Sequence, residues 1–98
     1  MSQTVHVVFP CKEGQGAALL EVLRTALVDT RAFDGCESVD VYTDVDNPDT
    51  VVLWESFETR AHHEAYFAWR IETGLPDMLA PVLASDLQKT YLDDHPDV

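Results

Sequence analysis

The chain has 98 residues, 46% of them hydrophobic, and a formal net charge of -12. Those figures describe one globular domain with a modest core, and so negative a balance argues against nucleic acid or an anionic membrane as a partner. No charged-then-apolar leader and no apolar run near the roughly 18 residues of a membrane span is evident, so a cytoplasmic domain is expected. Cys11 and Cys36 stand too far apart for a CxxC redox or zinc pattern and read as small half-buried hydrophobes.

Thr4 to Phe9 alternates, with Val5, Val7 and Phe9 on one side and His6 and Val8 on the other; this predicts a first strand that Pro10 ends. After a charged, glycine-containing turn, Leu19, Leu20, Leu23, Ala26 and Leu27 recur at helical spacing between Ala17 and about Thr30. Arg31 falls at the end of that helix, where a cation complements the macrodipole. Gly35 breaks the helix, and a second strand is predicted from Ser38 to about Thr43. The acidic turn from Asp44 to Asp49 joins it as a hairpin to a third strand, Val51 to Phe57. That turn lacks the central glycine and terminal glutamate of a calcium-binding EF-hand, and Asn47 reads as a turn former.

In the third strand, alternation places Val51, Leu53, Glu55 and Phe57 on one face and Val52, Trp54 and Ser56 on the other. From Thr59, the natural N-cap, the period becomes helical: Ala61, Ala65, Trp69 and Glu72 form one stripe, flanked by His62 and Tyr66. Gly74 closes this helix, and Leu75 and Pro76 start a short helical turn extending toward Leu83, with a break at Pro81. Leu87 to Leu92 is the fourth strand. A single domain over residues 1–98 is therefore expected, its core from about 4 to 92 and its acidic tail over 93–98.

The order strand, helix, strand, strand, helix, strand defines an α+β, ferredoxin-like βαββαβ fold, a four-stranded antiparallel sheet with both helices on one face. One sheet face is left uncovered, and Phe67 with Ile71 adds apolar surface on the second helix, so a homodimer is expected.

Several segments in sequence resemble one family. The Lys-Glu-Gly turn, Thr30-Arg31-Ala32 with Gly35-Cys36, Val41-Tyr42, Asp46-Asn47-Pro48, Leu53 with Glu55 and Phe57, then Tyr66 and Trp69-Arg70 resemble the antibiotic biosynthesis monooxygenase domain from about Thr4 to Leu92. The resemblance implies a dimeric α+β barrel with a pocket between sheet and helices. It also implies oxidation of quinols or anthrones by molecular oxygen with no cofactor: no metal, flavin or haem. Haem-degrading relatives carry a helix histidine where Tyr66 aligns and an asparagine on the first strand; both are missing here, which weighs against haem.

Cofactor-free oxygenation needs a base and a dry cavity, and histidine titrates near working pH. His62, Tyr66, Trp69 and Thr73 share one side of the second helix. His62 is expected to take the phenolic proton, Tyr66 to hydrogen-bond the substrate oxygen, and Trp54 and Trp69 to form flat apolar walls. Arg31 is a candidate for neutralising an oxyanion, beside its structural role at the helix end. The expected partners are a small aromatic substrate and O2. The alternatives are isomerisation of a small hydroxy-ketone, which would consume no oxygen, and a non-catalytic dimeric protein whose pocket only holds a ligand.

Overall fold

The structure, a computed structural model, describes residues 2–98. Four strands, β1 (Gln3–Pro10), β2 (Cys36–Thr43), β3 (Thr50–Phe57) and β4 (Gln88–Leu92), form one antiparallel sheet in the order β2-β3-β1-β4. Three helices, α1 (Gln15–Ala32), α2 (Arg60–Glu72) and the short α3 (Leu75–Leu79), complete the α+β ferredoxin-like unit.

The helices cover the sheet face that carries Val5, Leu53 and Phe57. Val5, Val7 and Phe9 of β1, Val39 of β2, and Val51, Leu53 and Phe57 of β3 are all buried. α1 meets them with Leu19, Leu23, Leu27 and Thr30, spaced to fall on one stripe of a 3.6-residue period. Each of these leucines contributes about 2–5 kcal/mol relative to alanine when fully buried. The start of α1 has no cap of its own. Asp49, from the β2–β3 turn, accepts the backbone N–H of Gly14 at Oδ2 (3.0 Å) and of Gly16 at Oδ1 (2.9 Å). Its charge thus sits at the positive end of the helix dipole, and Gly16 has no room for a side chain because Pro48 and Asp49 press against it.

The topology corrects the expected barrel. The sheet is open, with β2 and β4 as its edges, and it does not close on itself. Among the described residues β2 pairs with β3 alone and β4 with β1 alone, so each edge strand keeps one unpaired side and the expected dimeric α+β barrel is not formed by this sheet. The outward face carries Tyr42, Trp54 and His6, the last two ring-edge to ring-face with centroids 5.4 Å apart. The helical turn expected to run on toward Leu83 ends at Leu79, ahead of Pro81.

Candidate active site

Glu55 is the residue around which the site is built. It lies on the apolar face of β3, opposite Val5 of β1, and Val5 in turn faces Tyr91 of β4. One transverse row of the sheet therefore carries a carboxylate, a valine and a phenol, all turned toward the helices. A carboxylate that is only 2% exposed requires a partner. His63 of α2 supplies it, lying over the row and bridging its two polar ends: Nε2 is 3.0 Å from Glu55 Oε1, and Nδ1 is 2.9 Å from the Tyr91 hydroxyl.

A carboxylate only accepts, so an ionised Glu55 takes the Nε2–H of His63; the Tyr91 hydroxyl at Nδ1 donates to a neutral imidazole or accepts from an imidazolium. Phe57 packs edge-on against the imidazole at 4.9 Å and Phe67 stacks on it at 6.1 Å. His63 itself is 1% exposed. Burial pushes the Tyr91 hydroxyl above its ordinary pKa, so it remains a neutral phenol at neutral pH.

A second network adjoins the first through Tyr66, whose ring lies 5.7 Å from that of His63. The Tyr66 hydroxyl is 2.7 Å from Thr30 Oγ1 and accepts from Arg70 Nε at 2.9 Å. Arg70 Nη2 also donates to Thr30 Oγ1 (2.8 Å) and to the carbonyl of Ala26 (2.6 Å), tying α2 to α1. Burial raises the Tyr66 pKa, opposed by the Thr30 and Arg70 hydrogen bonds, which lower it. Arg70 forms no ion pair with a carboxylate among the described residues. A small cavity of about 50 Å³ lies between these networks, lined by Glu55, His63, Tyr66, Thr30, Arg70 and Phe67 among others. It has room for a few water-sized molecules.

The candidate residues read from the sequence disperse. Tyr66 lines the cavity, and Trp69 stands beside it against Phe33, centroids 5.5 Å apart. His62 does not reach the cavity and is replaced there by its neighbour. Thr59 caps α2, accepting from the His62 backbone N–H at 3.1 Å, and the His62 Nδ1 lies 2.7 Å from the same hydroxyl. The ring is thereby held at the helix entrance, against Gly35 and with Nε2 3.7 Å from Glu58 and 3.8 Å from Asp34. Trp54 projects from the sheet face opposite the helices, and is corrected as a cavity wall on that ground. Thr73 is the exposed C-cap of α2, its hydroxyl bonded to the Trp69 carbonyl at 2.8 Å. Arg31 donates to the carbonyl of Val39 at 2.9 Å, fastening the end of α1 to β2.

Glu55 and His63 escaped selection in the sequence, although one signal pointed to them. A lone carboxylate alternating with Leu53 and Phe57 on a buried strand face demands a buried donor. Neither cysteine joins the site; burial is the main influence raising both thiol pKa values.

The class defined by this arrangement is an α+β ferredoxin-like protein with a buried carboxylate–imidazole pair and a hydrogen-bonded tyrosine lining a small cavity between sheet and helices. Residues 2–69 match the model of the antibiotic biosynthesis monooxygenase family, and the chain belongs to that family. Among solved structures it is similar to Rv0793 from Mycobacterium tuberculosis, with 23% identity, 97% of this chain and 96% of that chain covered, and a TM-score of 0.82. It is also similar to PA3566 from Pseudomonas aeruginosa (18% identity, 96% and 94% covered, TM-score 0.81). A structure described as an antibiotic biosynthesis monooxygenase shares 21% identity over 96% of this chain and 99% of that chain, with a TM-score of 0.83. No curated protein matches the chain. No helix among the described residues is long and apolar enough to cross a membrane.

Proposed function

We propose that this protein is a cofactor-independent monooxygenase that oxidises a quinol- or anthrone-like aromatic with O2, with Glu55 and His63 as its proton-transfer pair. The observation that carries the proposal is the buried carboxylate–imidazole pair beside a small cavity between sheet and helices. Burial of this kind puts a base where water competes least and electrostatic effects are strongest.

Among the described residues the side-chain hydrogen bonds of Glu55 engage Oε1 alone, which leaves its second oxygen to meet a substrate hydroxyl. In the proposed cycle that oxygen takes the phenolic proton, and the His63 Nε2–H bond to Oε1 stabilises the carboxylate beforehand. The phenolate then gives one electron to O2, and the resulting radical pair combines at a ring carbon as a peroxide anion. The stored proton returns to the distal peroxide oxygen to give the hydroperoxide; the ring carbon then gives its own proton to Glu55 and becomes a carbonyl as the O–O bond breaks, and the departing hydroxide takes that proton and leaves as water. For hydroquinone the sum is quinol plus O2 giving hydroxyquinone plus water, with no external reductant. Arg70 supports the charged stages: its guanidinium lines the cavity and has no carboxylate among the described residues to neutralise it, so phenolate and superoxide are both favoured there. Tyr66 and Trp69 form the aromatic side of this site, with the Tyr66 hydroxyl already held by Thr30 and Arg70.

The test is oxygen uptake by metal-analysed, chelator-treated protein on a panel of hydroquinones and anthrones, each with a protein-free control. Protein-dependent uptake with hydroxylated product is expected. Product formed without oxygen consumption would move the activity to the isomerase class, and no reaction across the panel would favour ligand binding alone.

A further inference from the structure

Away from the cavity, two connecting turns bring three metal-ligating side chains to one point. Asp34 lies in the turn between α1 and β2, Glu58 in the turn between β3 and α2, and His62 in the first turn of α2. His62 Nε2 stands 3.7 Å from Glu58 Oε2 and 3.8 Å from Asp34 Oδ2, and one donor atom of each residue falls within 4.8 Å of the other two. Ligand atoms around a tetrahedral zinc ion lie roughly 3.3–3.6 Å apart, so the two imidazole edges of this triangle need to close only slightly. The imidazole is also oriented for the purpose. Its Nδ1 is 2.7 Å from Thr59 Oγ1, which leaves Nε2 as the nitrogen turned toward both carboxylates. The Thr59 oxygen has two lone pairs: one accepts the His62 backbone N–H at 3.1 Å, and the other can accept Nδ1–H. That tautomer frees the Nε2 lone pair, as metal-bound histidines require. Gly35, at a φ of 87°, leaves room for the ring where any side chain would collide with it. The Glu58 backbone N–H donates to the Gly35 carbonyl at 2.8 Å and so fastens the two turns together.

We propose that Asp34, Glu58 and His62 form a zinc site, with water completing the tetrahedron. The proposal is independent of the monooxygenase reading, since the site stands apart from Glu55 and His63 and takes no part in the proposed cycle. Its donor set, one imidazole and two carboxylates, is one that zinc accepts. Charge argues for a dication. Among the described residues neither Asp34 nor Glu58 pairs with a lysine or arginine, and an imidazolium would bring one positive charge to two carboxylates. Two carboxylates also outweigh the roughly half positive charge at the start of α2. The Asp34 and Glu58 side chains are 90% and 59% exposed, so an ion enters directly from solvent and keeps water in its open position. Bound there, the ion ties the α1–β2 turn to the start of α2. Phe33, next to Asp34, packs on Tyr66 and Trp69 with centroids 5.3 and 5.5 Å away, so the same ion steadies the turn that carries this aromatic cluster.

The test uses the untagged, chelator-treated full chain, titrated with zinc chloride by calorimetry and melted across the same zinc concentrations. One equivalent is expected to bind, and Tm is expected to climb with free zinc, as for any ligand that favours the folded state. Asp34→Asn, Glu58→Gln and His62→Gln are each expected to raise the zinc Kd about tenfold or more, through loss of a ligand. His95→Gln is the control: it removes another histidine beside acidic residues, Asp93 and Asp94, and should leave the Kd unchanged. Both carboxylates are exposed, so their amide variants keep the fold, and weaker binding in them reports ligation rather than unfolding. Zinc binding that persists unweakened in Asp34→Asn and Glu58→Gln overturns the site. So does binding abolished by His95→Gln, or a wild-type protein that gives neither heat nor a rise in Tm across the titration.

Discussion

Replacing Glu55 by glutamine is the sharpest probe of the site, because it removes the base while nearly preserving its shape. Glutamine keeps a carbonyl oxygen in reach of His63 Nε2, now 3.0 Å from Glu55 Oε1, so the imidazole retains an acceptor. What changes is the bond's character, from charge-assisted to neutral, a loss of about 1 kcal/mol. The fold should therefore survive with a modest fall in Tm. Turnover should fall on the order of 100-fold to 10,000-fold, the usual contribution of a positioned base. Glu55→Leu is the contrasting variant: it strands a buried N–H on His63 and adds about 1–3 kcal/mol of further destabilisation. The assay is oxygen uptake at saturating quinol alongside thermal unfolding followed by circular dichroism. A Glu55→Gln protein that is folded and keeps wild-type kcat would refute the assignment of Glu55 as the proton acceptor.

Other expectations follow from the same geometry. Tyr66→Phe removes a buried hydroxyl whose pKa is raised mainly by burial. A raised pKa means the folded state holds its proton more tightly, so stability is full below the unfolded tyrosine value of about 10 and declines as pH rises toward the folded value; thermal melts across that alkaline window should show a shallower decline in Tyr66→Phe than in wild type. Asp49→Ala strips the side-chain cap from the start of α1, where Asp49 meets the N–H groups of Gly14 and Gly16, and chemical denaturation should show a loss of about 1–2 kcal/mol with turnover retained. His62→Ala should cost about 1 kcal/mol through the weakened helix start and leave oxygen uptake unaltered; a large drop in turnover would return His62 to the mechanism.

How much of this was legible in the sequence depends on which physical rule controlled each feature. Strand faces follow from a period of two, so Leu53, Glu55 and Phe57 were separated from Trp54 by alternation alone, and the pairing register bears that out. The order of strands and helices likewise pointed to the ferredoxin-like topology, because short connections leave few ways to pair four strands. Which face the helices would cover was a tertiary outcome. Trp54 and Glu55 are adjacent in sequence, and only the docking of α1 and α2 decides that Glu55 is inside and Trp54 outside.

The choice between His62 and His63 shows the boundary most clearly. Neighbouring residues on a helix differ by about 100°, so a small change in the phase of the buried stripe exchanges one histidine for the other. Aromatic residues on several sides of α2 leave that stripe poorly marked in sequence: Tyr66, Phe67 and Trp69 occupy different directions. The phase is set by partners distant along the chain. Thr59 holds His62 at the helix start, while Glu55 on β3 and Tyr91 on β4 together take both nitrogens of His63. Local periodicity was enough to establish the strands, their alternation and their order, since none of these needs a distant partner. Which histidine enters the site was settled by packing, since a buried carboxylate is satisfied only by whatever donor the docked helix brings above it.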